Sequence, residues 1–198
     1  MSRPSSHESR HLDTGSNVLV RVEPGQSTFD VCPGAGPNGN VLAVTYEQTP
    51  GEWYAEYREA TNVRPERLSV VVVGETARSG SEAASREPAL GGPDVTETVS
   101  SPADTARLCE RIGHTLDEFR GPTVVYFDSL TALLRHVDPE AATRFLLATS
   151  SKIRGSGATA YYRSDRRTHD ERVVARLEPL FDETLSSPDA SDDVLDLE

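Results

Sequence analysis

Short apolar runs alternate with amphipathic, helix-like segments along most of this 198-residue chain. The runs are rich in valine and tyrosine, and the second to fourth are almost continuously apolar, which is typical of strands covered on both faces. The alternation predicts an α/β fold, a three-layer sandwich around a mostly parallel sheet of about five or six strands. The predicted strands are 17–22, 40–46, 68–74, 123–129 and 158–164, and the predicted helices are 50–62, 101–119 and 138–157.

Polar stretches define the limits of the expected domain. Residues 170–186 are predicted to form one more helix, or a helix that leads into an edge strand. We expect a single domain over 16–185, a disordered arm over 1–15 and an acidic disordered tail over 186–198. Residues 77–93 are rich in Gly, Ser and Pro, and this composition predicts a flexible loop.

Composition and charge narrow the classes of protein to consider. Apolar residues make up 36% of the chain, and 32 acidic against 20 basic residues give a net charge of −12. Lys152 is the single lysine. An acidic, lysine-poor surface is typical of halophilic proteins. At molar salt, where charges are screened within about 3 Å, surface carboxylates hold water and keep the protein soluble. A GC-rich genome that favours arginine codons gives a similar balance. So acidic a chain is a poor match for unspecific nucleic-acid binding.

We expect a cytoplasmic protein with no membrane segment and no metal centre. No window approaches the roughly 18 consecutive apolar residues of a membrane-spanning helix. The N-terminal residues contain no apolar stretch of the kind that a secretory signal needs. Cys32 and Cys109 are far apart and form no CxxC motif, so they are predicted to be reduced packing residues.

The most specific candidate for chemistry is the segment VVYFDSLTALL at 124–134. Asp128 ends an apolar strand and Ser129 follows it, at the edge where parallel sheets bind their ligands. A P-loop NTPase uses an Asp in this position to hold Mg²⁺, directly or through water. Alternatively, Asp128 caps the helix that opens at Leu130 by accepting hydrogen bonds from its first amides. The spacing leaves both interpretations open.

Two further polar positions follow the second predicted strand. Glu47 and Gln48 lie where that strand ends, in the segment TYEQTP. Glu47 is a candidate for polarising a water molecule beside a phosphate. The alternative is an exposed carboxylate at a strand end, in a chain that is rich in glutamate.

The exit of the last predicted strand is also polar. Tyr161, Tyr162 and Arg163 are followed by Asp165 and His169. These residue types could form a catalytic cluster. We interpret them instead as strand side chains and a charged loop, since polar residues are expected wherever a strand of such a sheet ends.

The turn after the first strand lacks a phosphate-binding loop. Such a loop reads GxxxxGK[ST], with backbone amides around the phosphates and a lysine on their oxygens. Here RVEPGQSTFDVCPGAGPNGN contains Gly25 but no Gly-Lys-Ser/Thr, and its glycine-rich part at 33–40 precedes a strand. Phosphoryl transfer without this cation loses a large electrostatic contribution. Arg21 or Arg163 is a conceivable substitute, but nothing else in the sequence supports it.

The segments NVLAVTYEQTPGEW, VVYFDSLTALLRHVDPEAATRFL and GATAYYRSDRRTHDERVVARLEPLFD carry a family resemblance over roughly residues 16–186. Together they resemble an uncharacterised family of haloarchaeal proteins with a RecA/KaiC-like core. In active KaiC-like ATPases a Glu-Glu pair handles the attacking water, and the matching positions here are Glu47 and Gln48. The metal-side Asp and the Ser after it match Asp128 and Ser129. The helix expected after the phosphate-binding loop is shortened to about 26–32.

The resemblance implies a RecA-like fold whose catalytic loop has decayed. We expect no catalytic residue, with Glu47, Gln48 and Asp128 as relics, and no cofactor. The implied function is regulation or signalling through contacts with a protein partner or within a homo-oligomer. The alternative is a weak Mg-nucleotide-binding, ATPase-like enzyme. In that case Asp128 and Ser129 hold Mg-ATP, Glu47 orients water and an arginine replaces the lysine.

Overall fold

The computed structural model describes residues 14–32, 34–36, 38–74, 92–166, 168 and 171–186. Most of the predicted arm, loop and tail therefore lies outside the described residues. Within them, the chain forms one seven-stranded sheet in which all neighbouring strands run parallel. The strands are β1 (Asn17–Val22), β2 (Asn40–Thr45), β3 (Leu68–Val73), β4 (Val95–Val99), β5 (Thr123–Asp128), β6 (Thr159–Asp165) and β7 (Glu183–Ser186).

Helices connect the strands, and local capping explains where they begin. The described helices are α1 (Pro50–Thr61), α2 (Thr105–Glu118), α3 (Leu130–Leu133), α4 (Pro139–Ser156) and α5 (Glu171–Leu177), with 3₁₀ turns at Thr28–Asp30 and Glu178–Leu180. Before α4, Asp138 accepts a hydrogen bond from the amide of Ala141 at 2.8 Å, and a proline fills the first helical position. Thr49 and Glu52 form a reciprocal capping box at the start of α1.

The strand order is β4-β3-β2-β5-β6-β1-β7, so the two strands that apolar runs did not predict lie at the edges. β7 agrees with the predicted possibility of a helix that leads into an edge strand. β4 was not predicted, and the sheet has seven strands rather than five or six. β4 has the sequence VTETV and is only partly buried. An edge strand has one neighbour and therefore tolerates polar side chains.

Two helical layers cover the sheet, which confirms the three-layer sandwich. On one face, α2, α3, α4 and α5 bury residues such as Leu108, Leu133 and Phe145 against the sheet. On the other face, α1 buries Trp53 and Tyr57. Every residue of β2 and β3 is buried. These central strands are almost continuously apolar because both of their faces exclude water.

An aromatic cluster anchors the 3₁₀ turn that follows β1. The ring of Phe29 lies 5.5 Å from Trp53, 5.5 Å from Tyr57 and 5.2 Å from Tyr126, in edge-to-face geometry each time. Such pairs contribute about 0.5–1.5 kcal/mol beyond the area that they bury. The cluster therefore holds the exit of β1 against α1 and β5, directly below the carboxyl edge of the sheet.

Candidate functional site

The topology of the sheet has a switch point at the carboxyl ends of β2 and β5. These two strands are neighbours, and Thr45 at the end of β2 is opposite Asp128 at the end of β5. The chain leaves β2 for α1 on one face and leaves β5 for α3 and α4 on the other. A point where adjacent connections diverge in this way is the usual ligand position in open parallel sheets.

A guanidinium group bridges two carboxylates at this edge. Arg163 Nη1 lies 3.0 Å from Asp128 Oδ1, and Arg163 Nη2 lies 2.9 Å from Asp165 Oδ1. The exposed fractions of these side chains are 16% for Arg163, 19% for Asp128 and 12% for Asp165. Phe127 and Tyr162 are partners in the parallel register, which makes Asp128 and Arg163 the next cross-strand neighbours. The bridge is therefore a direct product of the β5–β6 pairing.

Burial dominates the electrostatics of Asp128. Burial raises the pKa of Asp128 above the ordinary range of a carboxyl group; Arg163 opposes this shift, while Glu56 and Asp165 add to it. Burial by itself would lower the pKa of Arg163, but the carboxylates of Asp128 and Asp165 raise it above its usual value. The guanidinium thus stays charged, and it offsets part of the negative charge of Asp128 and Asp165 at this edge of the sheet.

Three further polar residues extend the cluster towards α1 and the exit of β1. Gln48 Nε2 donates to Glu56 Oε2 at 2.7 Å, and Ser27 Oγ donates to Glu56 Oε1 at 2.6 Å. Gln48 Oε1 and Arg163 Nε have no hydrogen-bond partner among the described residues. We call Ser27, Gln48, Glu56, Asp128, Arg163 and Asp165 the carboxyl-edge cluster.

Ser129, and not Asp128, caps α3. Ser129 has extended backbone angles, and its Oγ accepts a hydrogen bond from the amide of Ala132 at 3.0 Å. The peptide bond between Asp128 and Ser129 is cis. Of the two interpretations left open for Asp128, the capping of this helix is therefore wrong, because Asp128 still belongs to β5 and its carboxylate pairs with Arg163.

The two residues that follow β2 separate from each other. Glu47 is more than half exposed and pairs with the exposed Arg135. Gln48 instead enters the carboxyl-edge cluster through Glu56. Of the three predicted relics, Gln48 and Asp128 are thus brought together around Glu56 and Arg163, and Glu47 is not.

The polar residues of the last predicted strand also divide. Tyr161 and Tyr162 are buried in the two cores on opposite faces of the sheet, as expected for strand side chains. Arg163 and Asp165 do not fit that interpretation, because Arg163 forms ion pairs with both Asp128 and Asp165. His169 lies outside the described residues. Arg21 alternates with the buried Val20 and Val22, so it faces the side of the sheet opposite to Asp128.

The exit of β1 differs from a phosphate cradle. β1 is followed by a turn in which Gly25 has φ +83° and by the three-residue 3₁₀ turn at Thr28–Asp30. The Ser27 side chain already accepts the amide of Phe29 at 3.2 Å. The predicted short helix at 26–32 is thus a single 3₁₀ turn, and its Phe29 amide is already bonded to the chain's own Ser27.

Sequence reasoning missed Glu56 and the pairing role of Arg163. The available signal for Glu56 was its place beside Tyr57 and three residues after Trp53, on the apolar stripe of α1, where a carboxylate is unusual. The pairing of Arg163 with Asp128 had no local signal, since the two residues are 35 positions apart.

No group of three or more His, Cys, Asp or Glu residues in the described part of the chain is arranged to hold a metal ion. Nor does any described helix have the length and apolar character to cross a membrane. The carboxyl-edge cluster brings together one largely buried cation, three carboxylates, an amide and a hydroxyl.

Comparison with solved structures supports the assignment of the fold as a parallel α/β sandwich. The fold is similar to that of the Pyrococcus horikoshii protein PH0250, with a TM-score of 0.57 at 14% identity over 90% of this chain and 84% of that one. A second structure is the uncharacterised protein PH0321 from the same organism in complex with an unknown peptide. It has a TM-score of 0.54 at 15% identity over 89% of this chain and 79% of that one. No curated protein matches the sequence. The chain belongs to DUF7504, a family of unknown function whose model matches residues 15–186.

Proposed function

We propose that this chain is a degenerate RecA/KaiC-like domain without ATPase activity, which works in regulation or signalling through protein contacts. The observation that carries the proposal is the Arg163 bridge. A guanidinium 3.0 Å from Asp128 takes the position next to the carboxylate that a metal ion would need. Mg²⁺ demands near-ideal octahedral oxygen ligands, so it would have to displace a charged and largely buried partner.

The exit of β1 supports the same proposal. A phosphate site needs several free backbone amides, usually at a helix N-terminus, together with a cation. The chain offers a 3₁₀ turn of three residues here, closed by Ser27 and packed through Phe29 into the aromatic cluster. The single lysine, Lys152, is on α4, on the other face of the sheet from α1.

The protein-contact half of the proposal has separate support. The similar protein PH0321 was crystallised with an unknown peptide, and we infer that a peptide segment of a partner is the class of ligand for this chain too. A salt-rich native environment belongs to the proposal as well, supported by the net charge of −12 and the single lysine. The proposal also keeps the cytoplasmic location that the sequence led us to expect.

The test is hydrolysis and binding of Mg-ATP by the purified protein in molar KCl. We expect no phosphate release above that of buffer and no shift of the melting temperature at millimolar nucleotide. A ligand at about 100 times its Kd would add about 2.7 kcal/mol of stability, so at millimolar nucleotide a Kd of about 10 μM gives a clear shift. Asp128→Asn should leave both results unchanged.

The outcome that overturns the proposal is ATP hydrolysis that Asp128→Asn abolishes. Asp117→Asn is the matched control, because it removes the same charge from an exposed position on α2. Loss of hydrolysis in Asp128→Asn but not in Asp117→Asn, together with loss in Glu47→Gln, would establish the weak Mg-nucleotide enzyme instead.

A further inference from the structure

An open groove runs between α2 and α4 on the face of the sheet opposite to α1. Its volume is about 430 Å³. The floor consists of small or apolar groups, namely Ala106 and Cys109 from α2 and Phe145 and Ala148 from α4, and Lys152 lies at one end. We call this surface the α2–α4 groove. It shares no residue with the carboxyl-edge cluster.

Lys152 is the distinctive residue of the groove. Its side chain lies across Gly113 of α2, where an added Cβ would come within 2.7 Å of Nζ. The missing side chain at Gly113 thus lets the lysine lie along the neighbouring helix. Lys152 is exposed and has no ion pair among the described residues, in a chain whose only lysine it is.

The other charges on the rim of the groove are already paired with neighbours on their own helices. Arg107 lies 3.6 Å from Glu110 on α2, and Arg144 lies 2.7 Å from Glu140 on α4. Within each of these exposed pairs the two opposite charges cancel. The groove therefore offers an apolar floor of small side chains and one available positive charge, on a protein that is otherwise strongly acidic.

We propose that the α2–α4 groove binds an acidic amphipathic helix of a partner protein. Small floor residues such as Ala106 and Ala148 let a third helix approach to the usual interaxial distance of about 8–10 Å. The apolar stripe of that helix would cover the floor, and a carboxylate beside the stripe would pair with Lys152. The inference rests on the proposed function in one respect, namely that this domain acts through protein contacts.

Helix-in-groove binding fits this surface better than strand addition does. The groove is bounded by two helices, so it presents side chains and not the free backbone groups that an added strand needs. Lys152 at one end of the groove favours a carboxylate of the partner at that position and disfavours a cation there, since like charges oppose each other. A second copy of this chain is the occupant to be eliminated experimentally.

The probe is a fluorescent peptide of about 18 residues, long enough to be helical, with leucines along one stripe and glutamates elsewhere. Fluorescence anisotropy measures its binding to the full chain at low and at molar KCl. We expect saturable binding that weakens about tenfold or more in Lys152→Glu and disappears in Ala148→Glu. Lys152→Arg should retain most of the affinity, and any binding of a peptide with lysines in place of glutamates should not weaken in Lys152→Glu.

Ala55→Glu is the matched control, because it makes the same change at an exposed position of α1. Circular dichroism melts confirm that each variant remains folded, and sedimentation measures its oligomeric state. The proposal is overturned if the acidic peptide does not bind at millimolar concentration, or if Ala148→Glu and Ala55→Glu bind it equally. It is also overturned if Ala148→Glu turns a dimer into a monomer, since a second copy would then be the occupant.

This test is independent of the ATPase test. ATP hydrolysis that depends on Asp128 would contradict the proposed function, whether or not the peptide binds. A protein that neither hydrolyses ATP nor binds the peptide would contradict the groove proposal and leave the proposal of a degenerate ATPase unaffected.

Discussion

Asp182 and Asp128 each pair with an arginine, at the amino and the carboxyl edge of the sheet respectively. Asp182 accepts hydrogen bonds from Arg154 Nη2 and from the backbone amide of Asn17, both at 2.8 Å. Its side chain is 40% exposed. Asp128 pairs with Arg163 at 3.0 Å and is only 19% exposed. The two edges thus use the same ion pair in two different surroundings.

The surroundings shift the two carboxyl groups in opposite directions. Burial tends to raise the pKa of Asp182, but the hydrogen bonds from Asn17 and Arg154 outweigh it and lower the pKa overall. Burial raises the pKa of Asp128 in spite of Arg163. The amino-edge pair therefore satisfies the start of β1 and stabilises the fold. The carboxyl-edge pair is weak evidence for stability, because desolvation of its two charges offsets much of their attraction.

The largest expected effect is that of removing the cation from each pair. Arg163→Met leaves Asp128 and Asp165 buried without their partner and should lower the free energy of unfolding by about 3–5 kcal/mol at pH 7. Arg154→Met removes a half-exposed cation and should cost only about 0–1 kcal/mol. Urea denaturation measures both. Equal losses in the two variants would contradict the distinction between the edges.

Next in size is the loss of the amino-edge acceptor. Asp182→Ala leaves the Asn17 amide without its side-chain acceptor and should cost about 1–3 kcal/mol. Asp182→Asn keeps an oxygen and should lose less. Thermal melts of the two variants against wild type measure the difference. If alanine and asparagine behave alike, the hydrogen bond to Asn17 contributes nothing to stability.

Asp128→Asn should change stability by only about 0.5 kcal/mol or less at pH 7, because it removes a buried charge and keeps an acceptor for Arg163. Addition of Mg²⁺ should shift neither wild type nor variant. The melts are run with and without Mg²⁺ at constant KCl. A magnesium-dependent stabilisation of wild type that Asp128→Asn lacks would mean that Asp128 still binds a cation.

The smallest expected effect is the pH dependence, and its sign differs between the edges. Because the pKa of Asp128 is raised, its contribution to stability is present at low pH and is lost as pH rises through the folded-state pKa. Because the pKa of Asp182 is lowered, its contribution is present above the ordinary value of about 3.9 and is lost as pH falls. Carboxyl NMR titrations of wild type, Asp128→Asn and Asp182→Asn measure both shifts. Shifts in the same direction would remove the contrast.

The sequence by itself determined the central strands and the helices between them. The apolar run at 68–74 and β3 (Leu68–Val73) agree closely, because a strand buried on both faces must be apolar almost throughout. Asp138 likewise marked the start of α4, since a capping side chain acts on amides only three residues away. Such local causes are visible in a short stretch of chain.

The tertiary structure alone decided the carboxyl-edge cluster and the edge strand β4. Asp128 meets Arg163 because β6 pairs with β5 in a particular register, and Glu56 joins them because α1 packs on the same face. β4 forms because it has β3 to pair with, although its own residues alternate with polar ones. Pairing between strands depends on residues that are far apart in the chain. A local pattern of apolar and polar positions therefore does not determine which partner each carboxylate will have.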